Sequence, residues 1–581
     1  MKITIKIFPI IAVIFILISS VSYAQKTLEG YIFDETGKNP LSYAAILIGD
    51  TGVYTTSNED GKFEIILKKN IDSLEIRYLG YKTTKVSTDY FRLKKILRLV
   101  PFSTILDEVI VSSKRKNLLK KSDRASSKIV EQGSYKMLYA LIKKYRENKE
   151  IVNSKAYFTL NSKAYLPSRS KIDTIPLEQI EGFYIGKQEL SKGILDLELK
   201  TGRFGQNSAF PFYSLDHISL LQNFRLFKKN QQLLPQHPGN MSFARIKKRY
   251  NVELQKTENY NGAIIHFQPK RKRRDIFSGR IFFHENDSII EKIELYITNP
   301  TSFRANSIVK GDLVSIKNLK LNISFNPIDL NKIQYYDFNL DMVYHSGTVK
   351  SDITSKIILY LYDYNAPFSK PYFTNTIDFE NDYDRLVTLP ASDKIWKQNY
   401  PYPRSNSNTE TTNFFKKENQ FYSYYVNKLP SYSRANINIS SIAWSNQKKL
   451  LPSDLKVGLG VKLNFYYALN SYENKTGSFD YIVKTLFDVK TSFFRSEISL
   501  EELDCINLAF DIYELNRHYL LDKIKESMTL EEVKTLSDKV ILDARKMVSL
   551  MFKESEFGIQ KGKFNQWKDK VHNELEKYNK R

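Results

Sequence analysis

The sequence predicts a multidomain protein that is mainly β with α elements, and three observations predict it. Residues 27–112 contain several short β patterns at close spacing, which favour a β-sandwich. Residues 151–390 contain longer alternating stretches rich in aromatic and branched side chains, the pattern of an antiparallel β region. Beyond residue 499, apolar residues recur at spacings of three and four, which predicts a mixed last domain that ends in helices. A chain of 581 residues has room for roughly three to four domains.

Residues 1–24 have the pattern of a cleavable signal peptide. Lys2 and Lys6 precede an apolar run over 7–18, and the small residues Ser22 and Ala24 favour cleavage after Ala24. A membrane anchor is the alternative, but the run is shorter than the roughly 20 residues that cross a bilayer. No cysteine lies near the cleavage site, which excludes a lipid-anchored lipoprotein. The sequence therefore predicts an exported protein, periplasmic or outer-membrane-associated, with no transmembrane helix after cleavage.

The formal net charge of +24 indicates either an anionic partner or a lysine-rich solvated surface. Export removes the chain from nucleic acid, so the remaining anionic partners are lipid headgroups, lipopolysaccharide phosphates and acidic glycans. The solvated surface is the simpler interpretation, because lysines are spread along the whole chain. Cys505 is the only cysteine, so no internal disulfide can form.

Residues 25–112 are predicted to form the front β-sandwich. The runs over 53–57 and 62–67 are predicted to pair as a hairpin, and the turn over 58–61 places Gly61 at a positive φ. Residues 106–111 are predicted as the last strand of the sandwich. A basic linker with one helix near 137–148 is expected to occupy residues 113–150.

The strand and turn residues of this front segment fall in a specific order: 30–34, Thr36-Gly37, Pro40-Leu41, Ala44, Thr55-Thr56, 60–63 and 79–81. In this order they resemble the carboxypeptidase-regulatory-like domain. The resemblance implies a transthyretin-like (prealbumin-like) fold and an accessory module of gram-negative envelope proteins, and it does not imply an enzyme. Segments within 487–517 are similar to the tails of envelope proteins that share this front domain and form a family of unknown function.

Residues 151–400 are predicted to form one antiparallel β-rich domain. The run over 277–282, a turn at 285–287 and the run over 289–293 predict a hairpin of a curved sheet, and this hairpin is similar to those of lipoprotein-carrier folds. The sequence leaves open whether the region is a half-barrel or a sandwich.

Residues 401–435 are polar, punctuated by proline and without periodicity, which is typical of a linker. The mixed domain over 436–581 follows. Ser499 and Thr529 each begin a capping-box pattern and predict two helix starts. After Thr529, one helix face is apolar, and packing of this face on its own domain is favoured over docking of a partner.

No catalytic, cofactor-binding or metal-ligating residue is predicted. None of the seven histidines begins a His-x-x-Glu or a His-Glu-x-x-His motif, which the closely spaced ligands of catalytic zinc would require. The sequence contains no Gly-x-Ser-x-Gly nucleophile elbow and no phosphate-binding glycine loop. The protein is therefore predicted not to be an enzyme.

One cluster of side chains is a candidate binding site. Five consecutive cations lie between two strand patterns, so a hairpin connection would project them together: Lys270, Arg271, Lys272, Arg273 and Arg274. Their mutual repulsion would be relieved at an anionic surface. A solvated loop is the alternative, because runs of like charge usually lie in solvated loops.

These observations predict a non-catalytic cell-envelope protein with a structural or partner-docking role. The predicted partners are anionic envelope components (lipid headgroups or lipopolysaccharide) or other envelope proteins. Two alternatives stay open: a carrier that holds an apolar ligand or a lipoprotein in a curved β-sheet, and an envelope hydrolase with an unrecognised site.

Overall fold

The structure is a computed structural model, and it describes residues 26–49, 54–67, 72–78, 81–101, 121–167, 172–206, 221, 224–229, 234–256, 262–271, 273–284, 288–301, 311–365, 369–379, 382–390, 440–446, 449–473 and 479–579. The predicted signal peptide, the strand predicted at 106–111 and the linker at 401–435 lie outside these residues. The chain divides into two units, one formed mainly by residues up to 106 and the other by residues from 107 onwards.

The front unit is a sandwich of two small sheets, as predicted. One sheet has the order β4-β1-β7 and the other has the order β3-β2-β5-β6. The core between them includes Ile32, Ile46, Phe63 and Ile76, all fully buried. The elements are β1 (Lys26–Asp34), β2 (Ala45–Ile48), β3 (Tyr54–Thr56), β4 (Lys62–Leu67), β5 (Ser73–Arg77), β6 (Thr84–Ser87), α1 (Thr88–Lys94) and β7 (Ile96–Leu99).

The hairpin predicted over 53–67 is wrong, although its turn is correct. β3 pairs with β2, whereas β4 pairs with β1 in the opposite sheet. Gly61 has the predicted positive φ, at 72°, and its N–H donates to the carbonyl of Asn58. The Asn58 side chain also accepts from the N–H groups of Asp60 and Lys62. This tight turn carries the chain from one sheet to the other, which strand patterns alone do not distinguish from a hairpin.

The central part of the second unit is one antiparallel sheet of ten strands. Its order is β10-β9-β8-β17-β16-β15-β14-β13-β12-β11, so two meanders, β8–β10 and β11–β17, join where β17 pairs with β8. The region is therefore a single open sheet and not a sandwich. The strands are β8 (Ile151–Pro167), β9 (Ile172–Glu189), β10 (Gly193–Gln206), β11 (Tyr250–Lys256), β12 (Gly262–Pro269), β13 (Ser278–His284), β14 (Ile289–Thr298), β15 (Leu313–Phe325), β16 (Ile333–Ser346) and β17 (Val349–Tyr362).

A long helix, α2 (Lys121–Glu147), packs on one face of this sheet. Tyr135 donates a hydrogen bond from its hydroxyl to the carbonyl of Tyr250 at 2.6 Å, and the hydroxyl of Tyr145 accepts from the N–H of Ile290 at 2.7 Å. These bonds fix the helix against β11 and β14. The sequence predicted only the second half of α2, because residues 121–128 are rich in serine and charge and carry no apolar period. A 3₁₀ turn (Pro238–Asn240) and a short helix, α3 (Phe243–Arg249), precede β11.

The last part of the chain combines a four-stranded sheet, ordered β18-β21-β22-β19, with three helices. Both predicted capping boxes are confirmed at Ser499 and Thr529. The apolar face after Thr529 packs on its own domain, as favoured. No helix in the described residues is both long and apolar enough to cross a membrane. The elements are β18 (Tyr372–Phe373), α4 (Asp382–Thr388), β19 (Ser441–Ala443), a 3₁₀ turn (Pro452–Asp454), β20 (Lys456–Val457), β21 (Phe465–Glu473), β22 (Phe479–Asp488), β23 (Phe493–Phe494), α5 (Leu500–Lys523), α6 (Leu530–Ser555) and α7 (Lys561–Asn579).

The ten-stranded sheet and the last sheet meet at Lys200 on β10. The Lys200 ammonium donates to the carbonyl oxygen of Ser369 at 2.9 Å and to its hydroxyl at 3.0 Å, and it lies 5.4 Å from the centre of the Tyr472 ring. The Asn470 side chain donates to the Lys200 carbonyl at 2.6 Å. Burial, and secondarily the charge of Lys155, lower the pKa of Lys200 to about 8.

Replacing Lys200 with methionine is expected to stabilise the protein at neutral pH by about 2 kcal/mol, because a half-buried cation with no carboxylate partner among the described residues is removed. The parent should also gain stability between about pH 8 and pH 10.5. In that range the folded amine loses its proton while the unfolded amine keeps it. Urea unfolding at several pH values measures both effects, and Lys163→Met, at an exposed position of β8, is the control. A variant less stable than the parent at neutral pH would show that the Lys200 bonds outweigh its burial.

Candidate functional site: a basic surface

The structure places the predicted cluster at the connection between β12 and β13, which pair antiparallel. Lys270, Arg271, Arg273 and Arg274 are exposed, while Lys272 lies outside the described residues. The backbone of this turn is anchored at its end, where the Arg274 carbonyl accepts from the N–H and the hydroxyl of Thr301, at 2.9 and 3.2 Å. The described end of the turn therefore has a fixed backbone at Arg274.

A second basic segment adjoins the turn, and it was not predicted from the sequence as part of the site. The N–H of Lys270 donates to the carbonyl of Arg249, at the end of α3, at 2.8 Å. Four of the seven residues of α3 are basic, and they enlarge the site: Arg245, Lys247, Lys248 and Arg249. We call the eight described side chains, these four with Lys270, Arg271, Arg273 and Arg274, the basic surface. The run Arg245-Ile246-Lys247-Lys248-Arg249 was visible, but nothing in the sequence indicated that it adjoins residue 270.

Asp275 is the only acidic residue on these two segments, and it orients two of the arginines. Arg273 donates to both of its carboxylate oxygens, at 2.8 and 3.0 Å, and Arg249 lies 3.8 Å from one of them. The hydrogen bond from Arg273 lowers the pKa of the Asp275 carboxyl, so this carboxylate stays charged. Burial, together with the charges of Arg245 and Arg273, lowers the pKa of Arg249. One carboxylate therefore offsets only a small part of the positive charge.

The remaining cations are available to an external anion. Lys270 lies 5.9 Å from the centre of the Tyr135 ring, a contact that orients its ammonium without neutralising it. Guanidinium groups match the geometry of phosphate oxygens in pairs, and ammonium groups act as point charges. The arrangement has the donors to hold several phosphate groups.

The other described groups of catalytic type are of three kinds: metal ligands, the lone thiol and histidine–carboxylate pairs. Within the described ranges, no group of three or more His, Cys, Asp or Glu side chains is placed to hold a metal ion. Cys505 is fully buried against Met551, and burial raises the pKa of its thiol to about 11. His284 pairs with Glu291 at 2.8 Å across the β13–β14 hairpin.

The face of the ten-stranded sheet that α2 covers is the place where a carrier would hold an apolar ligand. Leu138, Leu141 and Ile142 of α2 are fully buried in the same core as Phe338 and Leu359 of the sheet. An apolar ligand on this part of the sheet would have to displace the helix. The described packing therefore gives no support to a carrier site there.

Comparisons with known proteins identify the front unit. Residues 28–111 match the family model of the CarboxypepD_reg-like domain. The front unit is a CarboxypepD_reg-like domain. The match agrees with the two-sheet sandwich and covers a small part of the 581-residue chain. No curated protein matches the chain in sequence.

Two solved structures show a weak similarity to a larger part of the chain. One is the Pseudomonas aeruginosa MucA/MucB complex, with 9% identity and a TM-score of 0.16, covering 40% of this chain and 94% of the other. The other is MucB in complex with MucA(peri), with 8% identity and a TM-score of 0.15 over the same shares of the two chains. TM-scores this low do not establish a shared fold.

Proposed function

We propose that the protein is a non-catalytic cell-envelope protein that the basic surface holds against phosphate-bearing envelope lipids. The CarboxypepD_reg-like domain is then an accessory module that supports or docks a partner protein. The observation that carries the proposal is the backbone hydrogen bond between Lys270 and Arg249, because it brings together two basic runs that contain eight described cations, with Asp275 as the one carboxylate on these segments.

Phosphate is the anion that this surface fits best in an exported protein. The sequence of residues 1–24 predicts export, which leaves lipid headgroups and lipopolysaccharide as the abundant phosphate carriers. Each basic residue near an anionic membrane contributes about 1 kcal/mol of binding free energy within a Debye length. Several such contributions would hold to the membrane a protein whose described helices include none that is long and apolar enough to cross it.

Neutralising six cations of the basic surface is expected to abolish binding to anionic vesicles. The variant changes Arg245, Lys247, Lys248, Lys270, Arg271 and Arg274 to glutamine, and it keeps Arg249 and Arg273, which Asp275 orients. At about 1 kcal/mol for each residue, the loss is about 6 kcal/mol. Co-sedimentation with phosphatidylglycerol vesicles at low salt measures it, and circular dichroism checks that the fold is intact.

The matched control removes the same number of charges elsewhere. It changes six exposed lysines of the C-terminal helices and their connections to glutamine: Lys523, Lys525, Lys539, Lys553, Lys561 and Lys563. If both six-charge variants lose binding equally, net charge explains the attachment and the basic surface does not. Vesicles with and without lipopolysaccharide distinguish the two sources of phosphate, and neutral phosphatidylcholine vesicles should bind neither variant nor parent.

A further inference from the structure

A cleft of about 200 Å³ opens in the last domain, and none of its lining residues belongs to the basic surface. It lies between the segment that follows β19 and the helices α5 and α7, and its polar lining includes Asn446, Lys449, Asp511 and His572. This volume is smaller than the roughly 300–1,000 Å³ of pockets for drug-sized ligands. A ligand of this cleft would therefore be a single small ring.

Asp511 holds the two side chains that define the cleft. One carboxylate oxygen accepts from the indole N–H of Trp444 at 2.8 Å, and the other lies 3.0 Å from Nε2 of His572. A carboxylate only accepts, so in the neutral imidazole Nε2 of His572 carries the ring proton and Nδ1 is left as an acceptor. No described residue donates to Nδ1, and the His572 side chain is 39% exposed. The cleft therefore holds an acceptor with a fixed orientation and no partner of its own.

The elements around Asp511 are held in place independently of any ligand. The N–H of Trp444 donates to the carbonyl of Thr485 at 3.0 Å, which fixes this residue against β22. On α7, the Tyr578 ring stacks on His518 of α5 with ring centres 4.6 Å apart. These contacts fix both partners of Asp511, so the acceptor is preorganised.

The walls of the cleft combine aromatic surface with polar groups, which also include the carboxylate of Glu576. Phe510 and Leu575 are buried and apolar, and the Trp444 N–H is already used, so the indole offers mainly its apolar surface. Asn446 and Lys449 are exposed at the rim, and neither has a partner among the described residues. A sugar ring has C–H groups on its faces and hydroxyl groups around its edge. It therefore suits apolar walls that are edged by an acceptor, an amide and a cation.

We propose that this cleft binds one sugar residue of an envelope glycan, with a sugar hydroxyl donating to Nδ1 of His572. This site is separate from the basic surface, and it does not depend on the proposed lipid attachment. It adds a site that recognises a sugar hydroxyl to a protein whose other candidate site recognises anionic charge.

Tryptophan fluorescence of the full chain tests the proposal. Trp396→Phe with Trp567→Phe leaves Trp444 as the only tryptophan, and this protein is titrated with N-acetylglucosamine, galactose and galacturonate. We expect a saturable change in emission with at least one of these sugars. His572→Ala in the same background should weaken that binding about tenfold, the effect of one lost hydrogen bond.

The control is His345→Ala on β16, which should bind the sugar like the parent. Thermal melting shows whether His572→Ala is folded, and if it is not, Lys449→Gln gives a second variant of the cleft rim that should also bind more weakly. The proposal is overturned if none of the three sugars changes the Trp444 emission. It is equally overturned if a folded His572→Ala binds as tightly as His345→Ala.

Discussion

Replacing Arg517 with leucine is expected to destabilise the last domain by about 3–5 kcal/mol, because the change leaves a buried carboxylate uncompensated. Glu514 is 4% exposed on α5, and Arg517 donates to its two oxygens at 2.9 and 2.6 Å. Thr485 on β22 donates to the same carboxylate at 2.6 Å. Burial alone would raise the pKa of Glu514, but the hydrogen bonds from His518, Arg517 and Thr485 and the charge of Arg517 lower it to about 2.

Urea unfolding measures the loss, and the double variant Glu514→Leu with Arg517→Leu is the matched control. Removing both partners should recover most of the stability, because apolar groups replace the whole pair. The pH dependence has a defined sign: the Glu514 contribution is complete above about pH 4.5 and is lost as the pH falls towards 2. A single variant as stable as the parent would show that water compensates the carboxylate.

The second large effect is expected for Gly61→Val in the CarboxypepD_reg-like domain. At a φ of 72° a β-branched residue costs about 1–3 kcal/mol of strain. A Cβ at this position would also lie 2.3 Å from the Ile32 carbonyl oxygen. Relief of that contact would move the turn from β1 and break the hydrogen bond from the Ile32 N–H to the Gly61 carbonyl, now 2.8 Å. We expect a total loss of about 3–4 kcal/mol.

Gly49→Val is the control that separates the cost of backbone strain from the cost of the steric clash. Gly49 also has a positive φ, at 49°, but a Cβ there meets no heavy atom within 4 Å. Its loss should stay near 1 kcal/mol, the lower end of the strain range. Hydrogen exchange of the β1 and β4 amides in the full protein reports both losses as changes in local opening free energy. Equal protection in the two variants would show that the turn moves freely away from β1.

The front domain shows what the sequence could and could not predict. Strand patterns and the turn residue Gly61 were correct, because alternation and positive φ are local properties. The pairing of each strand with its neighbour in the sheet is not a local property. β3 and β4 are joined by a tight turn, yet they lie in opposite sheets, and only the side chains that fill the core between the sheets decide this pairing.

The candidate sites also differ in how much of each could be predicted from the sequence. The cluster at 270–274 could be predicted because its residues are consecutive, and its place between two strands followed from local patterns. The contribution of α3 could not be predicted, because it depends on the register of β11 with β12. This register brings Tyr250 opposite Pro269 and so places residue 249 beside residue 270. Asp511 and His572 are 61 residues apart in the chain, and no periodicity connects two helices that meet only in the folded domain.

The most direct test of the basic surface is the affinity of two half-variants for phosphatidylglycerol vesicles. One variant changes Arg245, Lys247 and Lys248 of α3 to glutamine, and the other changes Lys270, Arg271 and Arg274 of the turn. If the two segments form one binding surface, each variant loses about 3 kcal/mol, or about 100-fold in affinity, and shows a weaker dependence on salt. If the α3 variant binds with the affinity and salt dependence of the parent, the two segments do not act as one surface and the account is contradicted.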